Sequence, residues 1–363
     1  MAIPLAGLLA AGLTVTTAQG AAAEPAMPPE AAAASPVAAA PAGPIAATPP
    51  MGWNDWYAFQ CNLNEALIEQ TADAIVNSGM RAAGYQYVNL DDCWLSHNRD
   101  ANGNLQADPV KFPHGIKAVA DYVHARGLKL GIYEDVGTAT CAGYPGSYGH
   151  VEQDADIFAS WGIDFVKVDW CNVPFGDFPG LSQQDVAKKL YTAYSQALKA
   201  TGRPMLFSIC EWNPALQPWT WAPAISNMWR SNNDYGDSWD QVLANLDQEA
   251  ALAPFAGPGH WNDPDILQVG LGHMTTAEDQ AHFSAWSMLA APLMSSLALL
   301  WIAVEVTTVI SALLVAIEDT DGAAEAAWKY VLIASAGLGL ALLGTVFAYY
   351  AGAQVLGEHY NLA

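Results

Sequence analysis

The sequence predicts an α/β protein with a (β/α)8 TIM barrel at residues 48–296, on three observations. Short apolar or β-branched runs alternate with longer amphipathic runs from residue 50 to 294. There are eight such short runs. Strands that alternate with helices form a parallel sheet, and eight parallel strands can close into a barrel. Acidic residues repeatedly follow these runs. An open doubly wound sheet is the alternative, but no GxGxxG turn follows the first strand.

The predicted elements follow one another in a regular order. The first four strands begin at residues 51, 85, 128 and 163 and read MGWND, YQYVNLDD, LKLGIYED and IDFVKVDW. The other four begin at 204, 225, 261 and 286 and read PMLFSICEW, ISNMWRSNND, WNDPDIL and WSMLAAPLM. Helical apolar spacing marks NEALIEQTADAIVNSGM, which ends at Ser78-Gly79, and QQDVAKKLYTAYSQALKATG, in which Lys followed by Gly is a typical helix stop.

Acidic residues mark the ends of seven predicted strands. They are Asp55, Asp91, Asp92, Glu134, Asp135, Asp169, Glu211, Asp234, Asp263 and Asp265. The C-terminal strand ends of a barrel meet on one face, where active sites of this fold lie. One acid there is easily a loop cap, and we expect Asp263 in NDPD to cap a turn. Acids at seven strand ends indicate a site.

Composition limits the partners of this site. Lys plus Arg number 13 and Asp plus Glu 36, for a net charge of −23 over 363 residues. Such acidity argues against binding to nucleic acid or to anionic membrane surfaces, and it suits an exported protein that acts on neutral molecules. The chain has 14 Trp and 14 Tyr, and aromatic faces beside carboxylates are typical of sugar pockets.

Two chemistries fit clustered acids: glycosidic hydrolysis and metal binding. Metal-dependent barrels usually add His ligands, but the eight His residues are scattered and no HxH or HExxH is present. The Asp91-Asp92 pair could bind a hard cation. Sugar chemistry is favoured by the tryptophans beside the acids, namely Trp53, Trp56, Trp94, Trp170 and Trp212. We therefore expect neither a metal nor an organic cofactor.

The N-terminal region is predicted to lie outside the barrel. Residues 1–24 have the apolar segment and small residues of a secretory signal peptide, although the basic start is missing. A disordered Ala-rich leader is the alternative. Residues 25–47 are an Ala/Pro-rich linker whose composition cannot build a core. We expect a secreted or cell-envelope location.

The C-terminal region, residues 297–363, is predicted to be an apolar helical tail. Residues 297–317 carry no charge except Glu305, and residues 330–356 carry none. Each segment is long enough to span a bilayer. Three interpretations remain open: a membrane anchor of two transmembrane helices, a fused or frame-shifted reading, or a last barrel helix in residues 297–317.

Residues 48–294 resemble the glycoside hydrolase family 27 enzymes, the α-galactosidases (melibiases) and their α-N-acetylgalactosaminidase relatives. The resemblance lies in PPMGWNDW, YQYVNLDDCW, GIYEDVG, FVKVDWC, SICEW, MWRSNND and GHWNDPDIL, which occur in the family's order. It ends after AAPLM, where the family continues with a polar loop, the last barrel helix and a β domain. The resemblance implies a retaining α-galactosidase that acts on oligosaccharides or polysaccharides with terminal α-linked galactose.

The resemblance also implies a role for each matching residue. Asp169 becomes the nucleophile that forms a covalent glycosyl intermediate, and Asp234 the general acid/base. Because Lys167 lies two residues before Asp169, the two side chains lie on the same side of the strand. The charge of Lys167 then favours the ionised form of Asp169. Asp234 must be protonated in the first step, so we expect its pKa to rise as its neighbours become charged or water is excluded. The other substrate-binding residues implied are Trp53, Asp91, Asp92, Tyr133, Cys210, Glu211, Trp212, Arg230 and Asp265.

The pairing of the five cysteines is implied by the resemblance and does not follow from their spacing, which contains no CxxC. It implies the disulfides Cys61–Cys93 and Cys141–Cys171. Cys210 remains a free thiol in the pocket or a small buried apolar residue. The bulky CEW sequence favours galactose, because α-N-acetylgalactosaminidases have small residues there. An α-N-acetylgalactosaminidase, a β-L-arabinopyranosidase and an inactive sugar-binding or membrane-associated fusion product are the alternatives.

Overall fold

The computed structural model describes residues 45–295, so the predicted signal peptide, nearly all of the linker and the apolar tail lie outside the described residues. The described range contains eight strands: β1 (Met51–Asn54), β2 (Tyr87–Asn89), β3 (Lys129–Asp135), β4 (Phe165–Asp169), β5 (Leu206–Cys210), β6 (Met228–Arg230), β7 (Trp261–Asp263) and β8 (Leu293–Ser295). Its seven α-helices are α1 (Trp56–Phe59), α2 (Glu65–Asn77), α3 (Gly115–Ala125), α4 (Val151–Trp161), α5 (Gln183–Ala200), α6 (Trp239–Glu249) and α7 (Thr276–Met288). None of these helices has both the length and the apolar character needed to cross a bilayer.

The strands form one parallel sheet in the order β7-β6-β5-β4-β3-β2-β1-β8. The edges β7 and β8 are joined by the chain that follows β7. The backbone N–H of Leu267 donates to the Met294 carbonyl at 2.8 Å, and Leu267 forms a parallel bridge with Ser295. The sheet therefore closes, and the predicted barrel is confirmed for the described residues.

Side-chain alternation divides the barrel interior into an apolar floor and a polar upper part. The floor is a cluster of seven residues, six of them on strands: Tyr87, Phe165, Leu206, Met228, Trp261, Ile266 and Met294. On β4, Lys167 and Asp169 follow Phe165 on the same face, while Val166 and Val168 are buried in the larger core cluster. The predicted shared face of Lys167 and Asp169 is confirmed.

The helix boundaries follow the signals in the sequence. Asn64 caps α2, and its side chain accepts a hydrogen bond from the Leu67 N–H at 2.9 Å. This helix ends at Asn77, directly before the predicted Ser78-Gly79 stop. Helix α5 ends at Ala200, and Gly202 follows with φ +72°, a conformation that glycine adopts without strain.

The eighth predicted strand begins too early. Residues 286–288 form the last turn of α7, and β8 begins only at Leu293. His282 and Trp286 lie one helical turn apart, are both fully buried, and have ring centroids 4.2 Å apart. The apolar run in the sequence thus combines the buried face of a helix with a strand, which a short run does not distinguish.

The connection from β5 to β6 departs from regular strand–helix alternation. Three short 3-10 turns, at Pro214–Leu216, Pro218–Thr220 and Ala222–Ala224, stand where a crossover α-helix is usual. Each turn has a proline among its first residues. Closely spaced prolines remove backbone donors that an α-helix needs, so short turns result.

Candidate active site

A cavity of about 190 Å³ opens at the C-terminal ends of the strands. Ten of the twelve predicted catalytic and substrate-binding residues line it: Asp91, Asp92, Tyr133, Lys167, Asp169, Cys210, Trp212, Arg230, Asp234 and Asp265. They belong to six strands or to the segments that follow them. Parallel strands bring these side chains together because all of the strands end at the same face.

Two of the predicted residues, Trp53 and Glu211, do not line this cavity. Trp53 is buried in the core, with its ring centroid 6.1 Å from that of Phe59. The next residue, Asn54, faces the barrel interior, so alternation turns Trp53 toward the helices. Glu211 is fully buried, accepts a hydrogen bond from the Asn213 N–H at 3.0 Å, and has its pKa raised to about 8 by burial.

Five lining residues were not among the predicted substrate contacts: Trp56, Tyr57, Cys141, Cys171 and Ile266. Trp56 and Tyr57 begin α1, directly after β1. Their position at the C-terminal end of a strand is the sequence feature that could have identified them as cavity residues. The Tyr57 hydroxyl donates a hydrogen bond to Asp265 Oδ2 at 2.5 Å, and nothing in the sequence around Tyr57 indicates this contact.

Lys167 forms an ion pair with Asp91. Its Nζ donates to Asp91 Oδ2 at 2.7 Å, and both side chains are largely buried. Burial by itself lowers the pKa of Lys167, but Asp91, Cys210 and Asp169 together outweigh burial and hold that pKa above the usual range. Lys167 is therefore a fixed cation in the cavity.

Asp91 and Asp92 are oriented by hydrogen bonds from several segments. Asn54 Nδ2 donates to Asp91 Oδ2 at 2.8 Å. The two carboxylate oxygens of Asp92 accept from the backbone N–H groups of Cys93, at 2.6 Å, and Ala142, at 2.8 Å. Asp91 Oδ1 accepts from the Asp92 N–H at 3.0 Å and keeps a second lone pair, so it can accept a hydrogen bond from a ligand hydroxyl.

Asp169 lies at the end of β4 and accepts a hydrogen bond from the Trp170 N–H at 2.9 Å. Burial raises its pKa to about 6, although the Lys167 charge acts in the opposite direction. The neighbouring Asp135, paired with Asp169 in the sheet register, has its pKa raised to about 9 by burial and by the Asp169 charge. Lys167 thus favours ionised Asp169, as predicted, but burial has the larger effect.

Asp234 follows β6 and is exposed at the cavity mouth. Arg230 Nη2 lies 2.9 Å from Asp234 Oδ1, and Arg230 Nη1 lies 3.2 Å from Asp265 Oδ1. Partial desolvation in the cavity mouth raises the pKa of Asp234, but the charges of Arg230 and Lys167 bring that pKa below its ordinary value. In the free protein the pKa of Asp234 is therefore held low, because Arg230 forms an ion pair with Asp234.

Both implied disulfides are confirmed: Cys61 is bonded to Cys93 and Cys141 to Cys171. Cys210 is a free, buried thiol whose pKa is raised by burial. Gly137 lets the loop after β3 approach the segment after Asp169, because a Cβ there would overlap the Cys171 carbonyl oxygen. The Cys141–Cys171 disulfide then fixes this loop beside Asp169.

One group of potential metal ligands lies at this point among the described residues: Asp135, Cys141, Asp169 and Cys171. The two cysteines form a disulfide and offer no thiolate.

Asp263 has the turn-capping role expected from the sequence, since its Oδ1 accepts a hydrogen bond from the Asp265 N–H at 3.0 Å.

Comparisons with known proteins agree with this geometry. Residues 48–319 match the family model described as Alpha galactosidase A (Melibiase_2). The chain is 51% identical over 259 residues to an alpha-galactosidase A of Cellvibrio japonicus, covering 68% of this chain and 61% of that protein. It is 49% identical over 247 residues to an alpha-galactosidase of Cyamopsis tetragonoloba, covering 68% of this chain and 58% of that protein.

Solved structures give the same result. An alpha-galactosidase from Saccharomyces cerevisiae has a TM-score of 0.64 and 38% identity, covering 69% of this chain and 59% of that chain. An alpha-galactosidase from Saccharomyces cerevisiae with raffinose has a TM-score of 0.63 and 36% identity, covering 70% of this chain and 60% of that chain. The chain thus spans about three fifths of the length of these relatives. The motifs, the barrel, the two disulfides and the family match together show that the chain belongs to the alpha galactosidase A family of glycoside hydrolases.

Proposed function

We propose that the chain is a retaining α-galactosidase that removes terminal α-linked galactose from oligosaccharides or polysaccharides. The observation that carries this proposal is the cavity in which Asp169 and Asp234 lie together with Lys167 and Arg230. Raffinose, present in the related yeast structure, is the substrate that we expect first. Family membership and two disulfides support export to an oxidising compartment.

The proposed reaction is a double displacement. A carboxylate oxygen of Asp169 attacks the anomeric carbon, and Asp234 donates a proton to the departing glycosidic oxygen. The product of this step is a galactosyl ester of Asp169. Water then attacks the anomeric carbon, Asp234 accepts its proton, and galactose leaves with the α configuration retained.

The proposed protonation states differ between the free and the substrate-bound protein. In the free protein the pKa of Asp169 is about 6 and that of Asp234 is below normal, so a single shared proton lies mainly on Asp169. A sugar hydroxyl that binds Arg230 weakens the Arg230–Asp234 ion pair, and the sugar also excludes water from Asp234. Both effects raise the pKa of Asp234 and favour the productive distribution.

Galactose recognition is proposed for the polar groups on the opposite wall. Asp91 and Asp92 accept hydrogen bonds from sugar hydroxyls, and Lys167 donates one while it stays paired with Asp91. Trp56, not the predicted Trp53, supplies the apolar wall. Trp212 and Cys210 line the cavity near Arg230, where their bulk leaves less room for a 2-acetamido group.

The test compares three nitrophenyl glycosides with the full chain: the α-galactoside, its 2-acetamido analogue and the β-L-arabinopyranoside. We expect the α-galactoside to be the preferred substrate, and NMR to show α-galactose as the first product. Asp169→Asn and Asp234→Asn should each lower kcat by about 100-fold or more, whereas Asp121→Asn, on the exposed face of α3, should not. Inversion, preference for the acetamido sugar, or an active Asp169→Asn variant would contradict the proposal.

A further inference from the structure

Tyr57 connects two parts of the cavity that are far apart in the sequence. It lies in α1, whereas its partner Asp265 follows β7, 208 residues later. The Tyr57 ring lines the cavity, and its hydroxyl donates to Asp265 Oδ2 at 2.5 Å. Burial and the Asp265 charge raise the pKa of Tyr57, so this phenol stays protonated and always donates.

The carboxylate of Asp265 takes part in this bond and in two other contacts. Its Oδ1 accepts a hydrogen bond from the Ile266 N–H at 2.8 Å and lies 3.2 Å from Arg230 Nη1. Asp265 is 1% exposed and has φ +91°, an uncommon backbone conformation for a residue other than glycine. Its carbonyl oxygen accepts from Trp286 Nε1 at 3.0 Å, which helps to hold the backbone in place.

Arg230 divides its guanidinium between two acids. Nη1 faces the buried Asp265, and Nη2 faces the exposed Asp234 at 2.9 Å and the Asn232 carbonyl oxygen at 3.1 Å. An arginine and one carboxylate prefer to form two parallel hydrogen bonds. Arg230 does not do so with Asp265, whose Oδ2 already has the Tyr57 hydroxyl.

We propose that Tyr57 is a positioning residue for Asp234: by occupying Asp265 Oδ2, it keeps one arm of Arg230 directed at the proposed acid/base. This inference rests on the proposed function. Without the hydroxyl, Asp265 Oδ2 is a buried oxygen with no donor, which is unfavourable. Arg230 then turns both arms to Asp265 and leaves Asp234.

The ionisation of Asp234 reports this movement. Among the described residues, seven titratable groups interact electrostatically with Asp234. They are the cations Arg230 and Lys167, the carboxyl groups of Asp169, Asp263 and Asp265, and the neutral Tyr57 and Cys210. Tyr57→Phe keeps all of these except the phenol hydroxyl. Because Arg230 lowers the pKa of Asp234, its departure should raise that pKa by about one unit or more.

The test compares the pH dependence of kcat/KM for the full-length protein, Tyr57→Phe and Tyr122→Phe. Tyr122 is the matched control, since its hydroxyl donates to Asp73 Oδ2 at 3.0 Å and its side chain does not line the cavity. Raffinose requires a proton from Asp234, whereas a dinitrophenyl α-galactoside has a leaving group that does not. We expect Tyr57→Phe to move the acidic limb for raffinose upward by about one pH unit, with no shift for the dinitrophenyl substrate or for Tyr122→Phe.

A crystal structure of Tyr57→Phe provides a readout that does not depend on activity. We expect both Nη atoms of Arg230 within hydrogen-bonding distance of Asp265 and none near Asp234. An Arg230 that still bridges the two acids, or an acidic limb that is unshifted or moves downward, overturns the inference. If the unmutated protein hydrolyses no α-galactoside, the proposed function fails, and the position of Arg230 still decides the inference.

Discussion

Replacing Lys167 with methionine removes the cation that neutralises Asp91 in the cavity. Lys167 Nζ lies 2.7 Å from Asp91 Oδ2, and the side chains are 16% and 2% exposed. Lys117 and Asp121 form an ion pair of the same length, 2.7 Å, on the surface of α3, where the side chains are 59% and 62% exposed. The two pairs therefore differ mainly in burial.

The expected cost follows from that difference. At an effective dielectric constant of about 20, charges 2.7 Å apart attract by about 6 kcal/mol, against about 1.5 kcal/mol in water. Removing one partner of a buried pair leaves an uncompensated charge and costs about 3–5 kcal/mol. Removing an exposed i,i+4 pair costs about 0.3–0.5 kcal/mol. We expect Lys167→Met to lower the free energy of unfolding by the larger amount and Lys117→Met by the smaller.

Urea unfolding of the full chain at about pH 7, followed by the fluorescence of its 14 tryptophans, measures both values. Adding Asp91→Asn to Lys167→Met should recover part of the loss, because the orphaned charge is then removed. Equal losses for Lys167→Met and Lys117→Met, or no recovery in the double variant, would refute this reasoning.

Three further predictions concern pH and the cavity wall. The value of kcat/KM should fall above about pH 6, because Asp169, whose pKa is raised to about 6, then loses the proton that it shares with Asp234; a profile that stays flat to about pH 8 contradicts this. The melting temperature should fall as the pH rises from about 5 to about 9. Asp169 and Asp135 have pKa values of about 6 and about 9, so the folded chain binds more protons than the unfolded chain in this range. Calorimetry that shows a rise in the melting temperature would contradict this. Trp56→Ala should raise KM for nitrophenyl α-galactoside about tenfold, whereas Trp53→Phe should lower stability by about 1–3 kcal/mol and leave KM unchanged.

Much of the barrel can be read from local sequence. Each strand is a short apolar run, and the acids that follow it mark the C-terminal end, so the convergence of Asp91, Asp169 and Asp234 follows from parallel topology. The helix stops after Asn77 and Ala200 are equally local. The start of β8 is not, because an apolar run can belong to either element until its packing partners are known.

The direction of a side chain on a strand is decided by the tertiary structure. Trp53 lies on β1 and Trp56 begins α1, and of the two only Trp56 lines the cavity. A shift of one residue in the alternation exchanges the two faces of a strand. Which phase is correct depends on what each face packs against.

The sequence by itself determined the fold class, the family and most of the residues around the cavity, because all of these depend on local patterns and motifs. Only the tertiary structure decided the charge states of Asp169 and Asp234 and the hydrogen bond from Tyr57 to Asp265. A pKa depends on burial and on charges within a few ångströms. Here those charges belong to different strands, so their distances exist only once the barrel has closed.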